Sequence, residues 1–400
     1  MDVSLGFVDL QVNGYGGVSF SDPALTHEAA AEACEAVLAR GGTCALLPTL
    51  ITAPREVYAR NLPLLARLIE SPRFAGRLLG IHIEGPFLSP FHGAIGCHPR
   101  EHVLVPAALP GGGCDLLDEW QQLARGHIRL LTLAAEVEGA AVLCAHAVRR
   151  RRIAVALGHQ LARREQIGEL AAAGATLLTH LGNGCPNTLH RHDNHLWPSL
   201  ADDRLSAMVI ADGQHLPADA LVAMVRAKGV ARLILTSDVS PAAGLPDGEH
   251  DCFGSVVHVE GRHVRSADRS CLAGSGALML DCVNHLASLR FRPTDPDAEP
   301  PPIFGCGEAP EQQQQQAAAA EGEGDATAVV VGRGGRGLSV AELVRVGFDN
   351  PLRAIGCDPS EVRRRLADAA LGADAVPVPR IEWGPWLLGT SGRRFVLVEQ

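Results

Sequence analysis

The chain lacks the long apolar run that a membrane-spanning helix needs. None of its windows approaches the roughly 18 continuous apolar residues of such a helix, and the start MDVSLGFVDLQ lacks the charged-then-apolar pattern of a secretion signal. It also lacks an excess of basic residues, because the formal net charge is -10 and the pI is about 5.9. We therefore expect a cytoplasmic protein that binds neither a membrane nor a nucleic acid, although this charge is compatible with a local basic pocket for one small phosphate.

The eleven cysteines lack the CxxC spacing of a metal or redox motif. Their number is odd and they are scattered, which is typical of reduced thiols that pack as small apolar side chains. A zinc site made of cysteines needs ligand pairs at short spacing, so the sequence does not predict one.

Lysine is almost absent, since Lys228 stands alone against 34 arginines. Some binuclear metal hydrolases bridge their two ions with a carbamylated lysine at a strand end. Lys228 lies in VRAKGVARL, where a predicted helix ends. A lysine-bridged pair of ions is therefore not expected.

Eight short apolar runs alternate with longer alanine-rich helical stretches. The runs are GFVDLQV (6–12), TCALLPTL (43–50), LLGIHIE (78–84), IRLLTLAAE (128–136), IAVALGH (153–159), ATLLTHL (175–181), LSAMVIAD (205–212) and LILTSD (233–238). Continuous apolar strands between helices indicate parallel strands that are covered on both sides. Eight such units in a chain of 400 residues predict an α/β fold, a (β/α)8 barrel of the TIM type. A doubly wound open sheet is the alternative, because the sequence does not show closure.

The composition changes after the eighth run. Residues 292–337 are rich in Pro, Gly and Glu and contain an EQQQQQ and an AAAA run, which predicts a flexible insertion of low complexity. The tail IEWGPWLLGTSGRRFVLVEQ predicts one or two strands of a small β appendage. We predict a barrel domain over residues 1–356 and a C-terminal helix with this appendage over residues 357–400.

Four polar residues end apolar runs: Glu84, His159, His180 and Asp238. Barrel strands bring such residues together at their C-terminal face. A catalytic zinc-type ion needs three protein ligands and an open position for water, which Glu84, His159 and His180 could supply. Asp238 would be the general base that takes a proton from water and returns it to a leaving amine. Any one of them alone is explained as well by a cap or a loop hydrogen bond, but their joint occurrence favours a metal hydrolase.

Gln11 and Asn13 stand where many metal hydrolases of this architecture carry a His-x-His pair. Alternate residues of a strand face the same side, so both amides can face the barrel mouth. Amides are poorer ligands for transition metals than imidazoles. The sequence therefore predicts one divalent ion per subunit, for which we expect Zn2+, with Fe2+ or another divalent ion as alternatives.

Three further residues lie in loops that follow strands. His98 in GAIGCHP and His215 in IADGQH could each contact a substrate carbonyl or hydroxyl through a neutral imidazole. Arg191 in LHRHDNHLW could bind a phosphate through its planar fork of donors. The three histidines around it are explained as well by a solvated loop as by a site.

These residues and their surroundings resemble the N-acetylglucosamine-6-phosphate deacetylases of the amidohydrolase superfamily. The matching segments run in family order from residue 6 to residue 356: GFVDLQVNGYGG, GIHIEGPFLSP, GAIGCHP, TLAAE, LGHQLA, THLGN, ADGQH, TSDVSPAAGLPDG, LAGSGALMLDCV and NPLRAIG. The resemblance implies hydrolysis of N-acetylglucosamine-6-phosphate to glucosamine-6-phosphate and acetate, a step of amino-sugar catabolism.

The resemblance also implies a role for each matched residue. Glu84, His159 and His180 would bind the single metal ion, Asp238 would act as general base and acid, and His98 would lie near the scissile acetyl carbonyl. The implied substrate contacts are Cys97, Asn183, Gly184, Arg191, His215, Leu272, Ala273 and Gly274. The family's phosphate-binding arginine, matched by Arg191, reaches across a dimer interface, so we expect a homodimer.

Two departures from the family pattern set further expectations. GNGCPNTLHRHDNHLW replaces the more usual sequence after the second metal histidine, and the chain begins almost at the first barrel strand, where the family has a β-rich stretch. We therefore expect an incomplete β appendage, with a truncated N-terminus as one explanation. Two other functions stay open: an amidohydrolase acting on a cyclic amide or an aminated base, and an inactive barrel that binds a sugar phosphate.

Overall fold

Eight parallel strands form the central sheet of the protein. The computed structural model describes residues 3–252, 255–290, 337–369, 376–385 and 393–398. We label the strands β1 to β8 in chain order: Phe7–Val12, Thr43–Ile51, Ile81–Glu84, Ile128–Leu133, Ala154–Leu157, Leu177–Leu178, Ser206–Ile210 and Leu233–Thr236. Each strand pairs with the strands next to it in sequence. All eight predicted strands are therefore found, in the predicted order.

The sheet closes between its first and last strands. Asn13 N–H, just after β1, donates to Val239 O at 3.0 Å, just after β8. The carboxylate of Asp9 on β1 accepts hydrogen bonds from Thr236 Oγ1 at 2.8 Å and from Ser237 N–H at 3.1 Å. The predicted (β/α)8 barrel is confirmed, and this contact excludes the open sheet that was its alternative.

We expect Asp9→Ala to destabilise this seam by about 2–4 kcal/mol, because Asp9 is fully buried and its loss leaves buried donors without an acceptor. The donors are the hydroxyls of Thr236 and Ser237 and the Ser237 N–H. Chemical denaturation would measure the change. Asp203→Ala, which removes an exposed ion pair with Arg232, is the control and should cost less than about 1 kcal/mol. Equal losses in the two variants would contradict the role given to Asp9.

Helices cover the outside of the barrel, which is why all residues of β1, β2 and β3 are buried. The main helices are His27–Arg40, Arg55–Ile69, Cys114–Leu123, Ala140–Arg151, Arg164–Ala173, Leu196–Ala201, Ala218–Lys228 and Met279–Ser288. Short 3-10 turns lie at Pro72–Phe74, Arg100–His102, Pro106–Ala108, Pro110–Gly113 and Val230–Arg232. The predicted N-cap Thr26 accepts a hydrogen bond from Ala29 N–H. Within the described residues, no helix is both long and apolar enough to cross a membrane.

Three small sheets accompany the barrel. A hairpin, Gly14–Tyr15 with Val18–Ser19, follows β1, and an antiparallel sheet of Gly248–Cys252, Ser255–Glu260 and His263–Ser266 follows β8. We call this second sheet the β8 sheet. In the third, Arg380–Pro385 lies between Val3–Ser4 and Arg393–Val398. The predicted appendage strands of the tail are present, joined by a strand from the start of the described chain.

The remaining helical segments are Val340–Val344, a π-helical turn at Arg345–Asp349, Asn350–Ala354 and Pro359–Ala369. Asn350 ties this region to the barrel, because its Nδ2 donates to Leu233 O of β8 at 2.7 Å. Of the predicted insertion, residues 292–336 lie outside the described residues. The predicted boundary between residues 356 and 357 stays a prediction.

Candidate active site

A cavity of about 550 Å³ opens at the C-terminal ends of the strands. This is the end of a parallel barrel where loops from several strands converge. Its wall contains every site residue predicted from the sequence apart from Arg191, namely Glu84, Cys97, His98, His159, His180, Asn183, Gly184, His215, Asp238, Leu272, Ala273 and Gly274. The fold therefore brings together residues that are up to 190 positions apart, from 84 to 274.

Glu84, His159 and His180 converge on one point of this wall. Glu84 Oε1 lies 3.0 Å from His180 Nε2 and 3.3 Å from His159 Nε2, and the two Nε2 atoms lie 3.1 Å apart. All three side chains are buried. His159 Nδ1 is 2.8 Å from Ala94 O, and since a carbonyl can only accept, that nitrogen carries the proton. The Nε2 of His159 therefore presents a lone pair to the cluster.

The donor set fits a divalent cation. Burial raises the pKa of the Glu84 carboxyl, but hydrogen bonds from His159 and His180 outweigh it and hold that pKa well below its ordinary value. A carboxylate oxygen and the His159 lone pair thus face each other, and one proton on His180 Nε2 cannot satisfy both. His180 Nδ1 has no hydrogen-bond partner in the described part of the chain. Two imidazoles and one carboxylate are a ligand set for zinc, iron and related ions.

His98 stands beside this cluster, with Nε2 3.8 Å from Glu84 Oε2. One atom each of Glu84, His98 and His159 lie within 4.8 Å of one another, so this second set could also hold an ion. However, Thr52 N–H points at His98 Nδ1 at 3.3 Å, and an N–H can only donate, so Nδ1 is the acceptor. Burial lowers the pKa of His98 to about 3, so the ring is neutral and its proton lies on Nε2. His98 therefore offers a donor, not a lone pair, which favours the set with His180.

Asp238 lies two residues beyond β8, in the same cavity wall. Its Oδ1 accepts a hydrogen bond from Asn13 Nδ2 at 2.8 Å. Burial and the negative charge of Glu84 raise the pKa of Asp238 to about 6. A carboxyl group that titrates near neutral pH suits proton transfer in both directions.

Three of these residues have an unusual backbone. His159, His180 and Asp238 adopt positive φ angles of 50°, 28° and 52°. Non-glycine residues rarely occupy this region, which costs about 1 kcal/mol or more per residue. Such strain persists where the surrounding structure imposes it, and it is concentrated here at the ends of β5, β6 and β8.

Gln11 and Asn13 both face the barrel mouth, as predicted. Gln11 Nε2 donates to Glu84 Oε1 at 2.9 Å, and Asn13 holds Asp238 in the same way. The two amides therefore orient the two carboxylates, a role that the sequence did not reveal. Lys228 lies elsewhere, because its buried Nζ donates to Asp202 O and Leu205 O at 2.8 and 2.9 Å.

The remaining predicted contacts divide into two groups. His215 Nδ1 lies 2.8 Å from Asp212 Oδ2, so this ionised partner takes the Nδ1 proton and leaves the Nε2 lone pair for the cavity. Arg191 is exposed and outside the wall of its own subunit, and its backbone carbonyl accepts a hydrogen bond from Trp197 Nε1 at 2.8 Å. Its predicted reach across a dimer interface stays a prediction.

Sequence reasoning missed three residues of the site. Asp212 orients His215 and also accepts from Ser275 Oγ at 2.8 Å. Cys271 and Arg265 line the cavity from the segment after β8. The order Asp-Gly-Gln-His of residues 212–215 was a usable signal for Asp212, because an aspartate three residues before a histidine can close a turn onto it.

A (β/α)8 barrel that gathers two imidazoles and two carboxylates at the C-terminal ends of its strands has the architecture of a metal-dependent hydrolase. No protein-family model matches the chain. Among curated proteins, the chain is 33% identical over 289 residues to N-acetylglucosamine-6-phosphate deacetylase of Danio rerio, with 71% of this chain and 69% of that protein covered. It is 36% identical to the Bos taurus protein of the same name, with 70% and 68% covered. The chain belongs to the N-acetylglucosamine-6-phosphate deacetylase family.

A solved structure gives the same result for the fold. A variant of N-acetyl-D-glucosamine-6-phosphate deacetylase from Mycobacterium smegmatis, in complex with N-acetyl-D-glucosamine-6-phosphate, superposes with a TM-score of 0.69 at 26% identity. The alignment covers 89% of this chain and 78% of that one.

Proposed function

We propose that the protein hydrolyses the N-acetyl group of N-acetylglucosamine-6-phosphate to glucosamine-6-phosphate and acetate, a step of amino-sugar catabolism. The observation that carries this proposal is the convergence of Glu84, His159 and His180 beside Asp238 and His98 in one cavity. Membership of the deacetylase family supplies the substrate class.

Glu84, His159 and His180 would hold one divalent ion per subunit, for which we propose Zn2+, with Fe2+ or another divalent ion as alternatives. When bound, such an ion polarises the acyl oxygen and lowers the pKa of a water molecule to about 7. Gln11 supports this cluster by donating to Glu84 Oε1. The amide donor fixes the carboxylate orientation without adding a ligand.

Two side chains would perform the proton and charge work. The Nε2–H of neutral His98 donates a hydrogen bond to the acyl oxygen as negative charge develops there. Asp238 takes a proton from the attacking water and then delivers it to the departing nitrogen, so that the amine leaves neutral. Asn13 holds the other end of the Asp238 carboxylate at 2.8 Å, which fixes the direction from which that proton moves.

The rest of the wall would bind the sugar. His215 Nε2 is a hydrogen-bond acceptor that suits a hydroxyl, and the backbone and side chains of the loops contribute further contacts from Cys97, Asn183, Gly184, Leu272, Ala273 and Gly274. We also propose a homodimer, supported by the exposed position of Arg191 on a loop beside the cavity. A cytoplasmic location is supported by the ten cysteines that are free thiols in the described residues.

Purified protein loaded with Zn2+ or Fe2+ should release acetate from N-acetylglucosamine-6-phosphate, with glucosamine-6-phosphate as the second product. An enzyme-coupled acetate assay and mass spectrometry of the sugar would measure both. Folded and metallated protein that releases no acetate would show that the substrate assignment is wrong. A parallel panel of cyclic amides and aminated bases would then identify a different amidohydrolase activity.

A further inference from the structure

The cavity has a single cationic side chain in its wall, Arg265. All residues of this wall lie in the described part of the chain, and Arg265 is the only lysine or arginine among them. It belongs to the strand His263–Ser266 of the β8 sheet. An antiparallel bridge pairs it with Leu272, and Ala273 N–H donates to Val264 O at 2.9 Å. The fold thus fixes Arg265 beside the wall segment Leu272–Gly274.

The charge of Arg265 is not used elsewhere in the described structure. Two other arginines of the same region form ion pairs, Arg269 with Glu260 at 3.2 Å and Arg262 with Asp281 at 3.0 Å. Within the described residues, the guanidinium of Arg265 forms none. A solvated arginine on an ordinary surface would be unremarked, but this one lines the cavity that would hold the substrate.

The charges of the cavity leave a place for one cation. Glu84 and Asp238 supply negative charge at the hydrolytic end, where a divalent ion balances it. A sugar phosphate brings up to two further negative charges, and the cavity has no other arginine or lysine to meet them. Arg191 is outside the wall of its own subunit.

We propose that Arg265 binds the phosphate of the substrate from within the same subunit and so determines selectivity for phosphorylated over unphosphorylated amino sugars. Its planar fork of N–H donors matches two phosphate oxygens at once, which a lysine does not. The proposal rests on the proposed function for the identity of the substrate, and it adds the residue that recognises the phosphate.

The test compares N-acetylglucosamine-6-phosphate with N-acetylglucosamine. In Arg265→Gln, the ratio of kcat/KM for the phosphorylated over the unphosphorylated sugar should fall at least about 10-fold, because a charge-assisted contact is lost. The fall should come through KM and not through kcat, since Arg265 does not touch the reacting atoms. Arg269→Gln, which removes a neighbouring arginine already paired with Glu260, is the matched control and should keep the wild-type ratio.

Binding of the product separates this proposal from the proposed function. Calorimetry with glucosamine-6-phosphate and glucosamine requires no turnover, so it reports on Arg265 even if no acetate is released. Wild-type protein should prefer the phosphorylated amine, and Arg265→Gln should lose that preference. An unchanged ratio and an unchanged preference in Arg265→Gln, with both lost in Arg191→Gln, would overturn the proposal. Equal loss on both sugars would overturn it too, since it would mark a structural role.

An independent observation concerns two thiols in the same wall. Cys97 Sγ lies 3.4 Å from Cys271 Sγ and 3.3 Å from Leu272 O. Cys97 precedes His98 in the loop after β3, whereas Cys271 follows the β8 sheet. Both thiols reach the cavity and hence the solvent, and a disulfide needs only that the sulfurs close to about 2.05 Å.

We infer that this pair is an oxidation site that takes hydrogen peroxide. One thiolate attacks the peroxide and becomes a sulfenic acid with release of hydroxide, and the second thiol then displaces water to form the disulfide. In total, two thiols and one peroxide give one disulfide and two waters. The bond would draw Cys97 toward Cys271 and displace His98, and a displacement of about 1 Å at a reacting group costs on the order of 100-fold in rate.

Peptide mapping after mild peroxide treatment tests this inference. A cross-linked peptide joining Cys97 to Cys271 should appear as turnover is lost, and a dithiol reductant should reverse both. Cys185→Ser, which changes another cysteine of the same wall, is the control and should still form the cross-link. Loss of turnover without the cross-link, or a cross-link that leaves turnover unchanged, would overturn the inference.

Discussion

Asp238→Asn should lower turnover of N-acetylglucosamine-6-phosphate by about 10³- to 10⁴-fold, because an amide cannot take a proton from water or return it to the leaving nitrogen. The substitution keeps the shape of the side chain and an oxygen that can accept from Asn13 Nδ2, which donates to Asp238 Oδ1 at 2.8 Å. Metal content and thermal stability should therefore stay close to wild type. Steady-state acetate release, elemental analysis and thermal unfolding would measure the three quantities.

Asp203→Asn serves as the matched control for this substitution. Asp203 is exposed and pairs with Arg232 at 2.7 Å, and it is not part of the cavity wall. It should keep wild-type turnover. If Asp238→Asn retained more than about a tenth of the wild-type kcat with its metal in place, another group would have to move the proton, and the role given to Asp238 would be wrong.

The strand-end pattern could be found in the sequence because a barrel imposes it. Apolar runs end in a polar residue where the chain emerges at the mouth, so Glu84, His159, His180 and Asp238 were identifiable one by one. Only Glu84 lies within its strand. The other three were predicted as the last or near-last residues of strands, yet the strands end before them. Their positive φ angles break the pairing, and local composition does not reveal such a conformation.

The orientation of each side chain could not be predicted, because its partner is distant in sequence. Thr52 sets the tautomer of His98 from 46 positions away, and Ala94 sets that of His159 from 65 positions away. Arg265 reaches the cavity only through the pairing of the β8 sheet with Leu272. Chemistry-bearing residue types were thus visible in the sequence, whereas their protonation states depend on contacts that only the folded chain provides.

The two candidate ligand sets predict different behaviour for two histidine variants. In the set with His180, His180→Asn should lose tight metal binding and almost all turnover, because it removes one of three ligands from the ion. His98→Asn should keep the ion and still lose about 10²- to 10³-fold in kcat, because the lost donor acts on the oxyanion. Elemental analysis and steady-state kinetics would measure both effects. Thermal unfolding with and without Zn2+ adds a readout that needs no turnover.

The thermal readout decides between the two sets. A ligand present at about 100 times its Kd stabilises the folded state by roughly 2.7 kcal/mol, so Zn2+ should raise the melting temperature of wild type and of His98→Asn but not of His180→Asn. Glu136→Gln is the control, because Glu136 is half-buried and accepts from Leu161 N–H at 2.7 Å outside the cavity wall. The opposite result, with Zn2+ stabilising His180→Asn and not His98→Asn, would place the ion in the set of Glu84, His98 and His159. His98 would then present a lone pair, and the hydrogen bond from Thr52 N–H would have to break when the ion binds.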